Sequence, residues 1–119
     1  MLFRNRTGDK VYQTYQDGWG TVYEVVDRRI KFIKQKVVHY SDSVVGERRF
    51  WDAKVLGVAI DRAVLVPLQT DVKVDDVFSI SGTQYIVRQK QLHDKTAPAS
   101  WLLSLSESKI QYRSDADGD

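Results

Sequence analysis

Val77-Phe-Ser-Ile80, then Ser81-Gly82, then Thr83-Gln-Tyr-Ile-Val87 is the stretch that decides the fold. Two runs of alternating apolar and polar residues flank a two-residue loop that ends in glycine. That pattern specifies a tight β-hairpin. Phe78 and Ile80 fall on one face, and Tyr85 and Val87 share a face of the returning strand.

Upstream, Asp71 to Asp76 reads as a charged connection, with Asp75 and Asp76 solvated in a turn. Ala63-Val-Leu-Val-Pro-Leu68 is an aliphatic strand. Pro67 removes a ladder donor, so it belongs at a strand end or a sheet edge. Phe50 to Leu56, with Phe50, Trp51, Ala53 and Val55, is another strand, and Gly57 then permits a bend. Arg29-Ile-Lys-Phe-Ile-Lys-Gln-Lys-Val-Val-His-Tyr40 is a third. Helix competes here, because Ile30, Ile33 and Val37 also fit helical spacing; the lack of caps and the β-branched content favour strand. Ser41-Asp42-Ser43 begins a turn.

Downstream, His93 to Ser100 is a loop containing Pro98. Trp101 to Ser106 is the last strand, with Trp101, Leu103 and Leu105 on one face. The first 28 residues are polar and aromatic, and Asp17-Gly18 and Gly20 mark turns. Val22 to Val26 allows a short strand, but the segment has few aliphatic residues to pack a core. The resulting expectation is an all-β chain: a small, partly open β-barrel of about six strands over 29–113, an extended N-terminal arm over 1–28, and an acidic disordered tail over 114–119.

Composition bounds the function. At 119 residues, 42% hydrophobic and 29% charged, the chain is an ordinary single globular domain. It has no cysteine, which excludes a disulfide framework, a thiolate metal site and a Cys nucleophile. No run approaches the roughly 20 apolar residues of a membrane span. Met1-Leu2-Phe3 is followed at once by Arg4 and Arg6, unlike a signal peptide. A soluble, unexported protein is expected. The formal charge is +2. Residues 1–62 hold 12 basic and 8 acidic side chains, whereas residues 63–119 hold 6 and 8. Such an asymmetry can align neighbouring copies or face a polyanion.

No constellation for catalysis, cofactor or metal stands out. His39 and His93 lack a metal-ligand spacing. There is no nucleophile elbow and no phosphate-binding glycine loop. Gly18-Trp19-Gly20 has no βαβ context for a dinucleotide. Arg28, Arg29, Lys31, Lys34 and Lys36 have no acidic neighbour before Asp42. Strand alternation would place Arg29 and Lys31 on one face and the other three on the opposite one. They read either as solubilising charge on a sheet edge or as phosphate contacts. Tyr12, Tyr15, Trp19 and Tyr23 lie where aliphatic support is thin. They read as anchors on a neighbouring subunit, or as stacking platforms for single-stranded nucleic acid.

From about residue 29 to residue 107 the layout resembles the head-closure proteins of tailed phages, also called head–tail adaptor, stopper or minor capsid proteins. The residues that carry the likeness are the basic strand Arg29-Ile-Lys-Phe-Ile, then Phe50-Trp-Asp-Ala-Lys-Val and Ala63-Val-Leu-Val-Pro-Leu. The hairpin Asp76-Val-Phe-Ser-Ile-Ser-Gly-Thr-Gln-Tyr-Ile-Val and the closing Trp101-Leu-Leu-Ser-Leu complete it. The resemblance implies a small, partly open barrel acting as a non-enzymatic ring subunit, usually in twelve copies. It implies portal or adaptor and tail proteins as partners, non-specific contact with channel DNA, and a place in the virion neck after assembly in the host cytoplasm. Ring or channel contacts would come from two loops, carrying Asp42, Glu47, Arg48, Arg49 and Gly57, Asp61, Arg62. The chain departs from the pattern in its short Gly57–Arg62 loop and in residues 1–28, which have no family counterpart. A small nucleic-acid-binding barrel, with aromatics and basic residues on one concave face, is the alternative reading.

Overall fold

Among the described residues, the β-branched and aromatic runs fold as strands. The computed structural model describes residues 11–43 and 59–114. Among them there is no helix, and none long and apolar enough to cross a membrane. The strands are β1 (Val11–Tyr12), β2 (Gly18–Val26), β3 (Arg29–Ser43), β4 (Arg62–Pro67), β5 (Val77–Ile80), β6 (Thr83–His93), β7 (Thr96–Ala97), β8 (Ser100–Glu107) and β9 (Arg113–Ser114). Seven of them form one sheet; six run in the order β2-β5-β6-β8-β4-β3, where β3 pairs back onto β2 to close a ring, and β9 adds beside β3. All the pairings in that ring are antiparallel. The expected strand over Phe50 to Leu56 lies outside the described residues.

The hairpin read from sequence forms with Val77 opposite Ile86 and Ile80 opposite Thr83. Ser81 (φ 51°) and Gly82 (φ 87°) are both left-handed, which gives the turn the twist the flanking strands need. Alternation then sends Phe78, Ile80 and Val87 inward. They meet Val22, Val38, Tyr40, Val64, Val66, Val72, Leu103 and Leu105 in the main core, with Tyr85 and Trp101 packed against it. Phe78 is fully buried, and Tyr40 meets its ring edge-on at 6.1 Å. Each such aliphatic or aromatic side chain contributes about 1.5–3 kcal/mol by leaving water.

Ala63 to Val66 are all buried, so β4 is covered on both faces. Val64 and Val66 face the main core. Ala63 and Leu65 form a second cluster with Leu102, against which Tyr15 packs. Pro67 ends β4 opposite Ser100, where its missing N–H costs no internal ladder bond.

Several expectations require correction. The proposed arm over 1–28 does not extend to residue 28 as a separate element: Gly18–Val26 is a ring strand paired with both β3 and β5. Upstream, Val11–Tyr12 pairs in parallel with β7. Removing residues 1–20 would therefore cut into β2. Nor is residue 114 free, because β9 pairs in parallel with Arg29 and Ile30. Part of the expected loop after His93 forms β7. Asp76 is buried rather than solvated. Its Oδ2 accepts from Lys34 Nζ (2.6 Å) and from the Lys73 backbone N–H (2.8 Å).

The long strand β3 is not a regular ribbon. Its register against β2 slips three times between Gly20 and Val25. Lys34 and Lys31 are the extra residues of two slips, and Lys36 and Val37 together oppose Thr21 at the third. Each bulge strengthens the local twist and re-aims the side chains that follow. The expected split of basic residues by simple alternation is therefore replaced: Lys34 turns to Asp76, while Arg28, Arg29, Lys31 and Lys36 are exposed.

Candidate assembly surface

Asp42 and Arg62 are strand residues of β3 and β4, not loop residues as expected. Arg62 Nε donates to Asp42 Oδ1 at 3.0 Å, and one terminal nitrogen donates to Tyr40 Oη at 2.8 Å. The guanidinium lies 5.1 Å from the Tyr40 ring centroid and 5.8 Å from that of Tyr85. Burial alone would lower its pKa. Hydrogen bonds to Asp42 and Tyr85, with the charge of Asp42, raise it further than burial lowers it. The group is a fixed cation that clamps two strands. Asp61 is similarly committed, since its Oδ2 accepts from the Glu107 N–H at 2.7 Å. Glu47, Arg48, Arg49 and Gly57 lie outside the described residues.

The four aromatics singled out by sequence separate into different environments. Tyr15 turns onto its own chain: it packs on the second core cluster, and its hydroxyl lies 2.5 Å from Ser100 Oγ. Tyr12 is exposed. Tyr23 is half-buried, directly opposite Ile33. Trp19 sits opposite His39 and is 56% exposed. Register decides their direction. Gly18 and Val22 pair with Tyr40 and Gln35 on the side of the core, so Trp19 and Tyr23, one residue along, point outward.

Ten large apolar side chains are exposed among the described residues, and Trp19, Val26, Phe32, Ile33 and Val37 all belong to the β2–β3 pair. Half of the exposed apolar side chains thus sit on one ribbon, a concentration typical of contact surfaces rather than of scattered surface residues. Sequence reasoning assigned Ile33 and Val37 to a strand without separating them from the core. The bulges turn them out, and alternation gives no sign of a bulge. Leu68 and Val74 are also exposed, both on the connection between β4 and β5.

Beside Trp19 an open cleft of about 360 Å³ is lined by Asp17, Thr21, Tyr40, Ser79 and the Ser81–Gly82 turn. It lies where β2 parts from β5, whose pairing is confined to Thr21–Tyr23. Asp17 Oδ2 accepts from the Asp42 N–H at 2.8 Å and from Ser41 Oγ at 3.2 Å, so this carboxylate ties the start of β2 to β3.

Compared with known proteins, the chain matches no family model, no curated protein and no solved structure.

Proposed function

We propose that the chain is a structural connector subunit of the head-closure kind from a tailed phage or prophage, working by binding rather than catalysis. In this reading, copies form a ring between the portal or adaptor and the tail, and the ring lines or closes the DNA channel. The observation that supports it most is the β2–β3 ribbon, whose outward apolar residues remain uncovered within a ring of strands that is otherwise closed. Burying such residues between copies gives each interface a modest stability, and a closed ring multiplies it. The sequence resemblance supplies the class of assembly.

The test is co-expression with tailed-phage portal and adaptor proteins, followed by native mass measurement and electron microscopy of the complex. The expected result is a ring of this chain seated on the adaptor. A chain that remains monomeric and does not associate with the portal or adaptor would overturn the reading.

Exposed Lys31 and Lys36 share the ribbon with exposed Trp19 and Phe32, which favours single-stranded nucleic acid as the second reading. That reading predicts that the isolated monomer binds an oligonucleotide with affinity that falls steeply as salt rises.

A further inference from the structure

Two regions carrying exposed apolar side chains lie on opposite sides of β3. The first is the outward stripe of Trp19 and Ile33, with Val37 at the third bulge; it is flanked by exposed Lys31 and Lys36. The second is the Leu68–Val74 connection, which carries exposed Asp71 and Asp75 along with Lys73. This connection lies on the inward side of the ribbon. The Asp71 N–H donates to Gln35 Oε1 at 3.0 Å, and Asp71 Oδ1 lies 3.4 Å from Lys34 Nζ. Gln35 pairs with the fully buried Val22, which fixes that side as the core side.

We infer that the Trp19–Ile33–Val37 stripe of one copy receives the Leu68–Val74 connection of a second copy, in a head-to-tail contact. The inference rests on the ring reading above and names its interface. Charge complementarity selects the occupant. A two-fold contact of stripe on stripe would set Lys31 and Lys36 against their own copies, which opposes association. A contact of stripe on connection sets those lysines toward Asp71 and Asp75, with Val74 placed among apolar neighbours. A contact between two different patches on opposite sides of a subunit propagates, and it closes into a ring when the rotation permits. Trp19 is the expected anchor, since a half-exposed Trp over an apolar patch is the residue type that carries most interface energy.

The natural absence of cysteine makes the contact directly measurable. Ile33→Cys and Val74→Cys variants are made separately and together, then treated with a short bismaleimide. Mixing the two single variants should give a covalent dimer, while each single variant alone should give none. The double variant should give a ladder of higher species. Trp19→Ser should weaken the association about tenfold or more. Self-linking by Ile33→Cys alone would show a two-fold contact and overturn the proposal. So would the absence of any link between positions 33 and 74. Native mass of the same samples separates the two levels: multimers without a 33–74 link overturn this interface and leave the ring reading intact, whereas monomers throughout count against both.

Discussion

Lys34 and Asp76, 42 residues apart in the chain, meet at 2.6 Å with side chains only 4% and 8% exposed. Asp71 adds a second, solvent-exposed carboxylate at 3.4 Å. A charge pair this dry is costly to break from one side only, because the remaining ion stays buried without its counterion. Lys34→Met is expected to destabilise the fold by about 3–5 kcal/mol. The double change Lys34→Met with Asp76→Leu should recover more than half of that loss, because no uncompensated charge remains. Urea unfolding of the single and double variants measures both. Equal losses in the two would show that packing, not charge, is what Lys34 supplies.

The same pair sets an alkaline limit on stability. Burial pushes the Lys34 ammonium down, but the hydrogen bond and charge of Asp76, joined by Asp71, carry its pKa above the ordinary 10.5. A base whose folded pKa is raised holds its proton more tightly in the native state than in the unfolded chain. Its contribution is therefore complete below about 10.5 and is lost as pH climbs through the higher folded value. Strongly alkaline conditions also act on any protein through other side chains, so the comparison needs a reference. The Lys34→Met, Asp76→Leu variant provides it. The native chain should lose stability faster than that variant above about pH 10.5. Parallel losses would remove the pair as the source.

Local signals in the sequence were enough for some elements and not for others. The Ser81-Gly82 hairpin was legible because its turn chemistry and both strands fall within eleven residues. The apolar run of β4 was legible because a strand buried on both faces needs no alternation. The arm was misread at Gly18 and Gly20, which mark no turn. They are strand residues without side chains because Tyr40, Phe78 and Ser79 approach there. Asp76 looked solvated because its partner lies in another strand. Asp42 and Arg62 looked like loop residues for the same reason: each is held by the other across a strand pair. The apolar stripe was hidden by three bulges in β3, which leave Ile33 and Val37 exposed while Ile30 is buried. A bulge inserts one residue, so a period of two becomes locally a period of three.

Glycine is needed at two positions for different reasons, and the difference is measurable. At Gly82 an added Cβ would meet nothing within 4 Å, but φ is +87°. Gly82→Ala should therefore cost about 1 kcal/mol through backbone strain alone. At Gly20 an added Cβ would lie 2.7 Å from the Ser79 carbonyl oxygen and 2.8 Å from the Phe78 ring. Gly20→Ala should cost about 1–3 kcal/mol by forcing β2 from β5. Conversely, Arg28 holds φ at +67° in the β2–β3 turn. Arg28→Gly should stabilise by a few tenths to about 1 kcal/mol, as relief of the left-handed conformation exceeds the entropy gained by the unfolded chain. Thermal unfolding of the three variants gives the order; a destabilising Arg28→Gly would mean the arginine side chain makes a compensating contact.

Gln84 fastens the segment that follows β8 to the ring. It is 7% exposed, and its side-chain amide behaves as a strand would toward Tyr112: Nε2 donates to the Tyr112 carbonyl at 3.1 Å, and Oε1 accepts from the Tyr112 N–H at 2.7 Å. Its own carbonyl accepts from the Ser108 N–H at 2.8 Å. The segment 108–112 thereby leads into β9, which pairs with Arg29 and Ile30 at the start of β3. Gln84→Leu leaves both Tyr112 groups without these partners and should cost about 1–3 kcal/mol. Gln84→Glu keeps an acceptor for the N–H but sets a carboxylate oxygen against the Tyr112 carbonyl, so its loss should be at least as large. Hydrogen exchange locates the effect. Amides of residues 108–113 should lose protection first, while Leu103 and Leu105 in β8 keep theirs. Uniform loss of protection across β6 and β8 would mean that Gln84 supports the ring itself rather than the segment that crosses it.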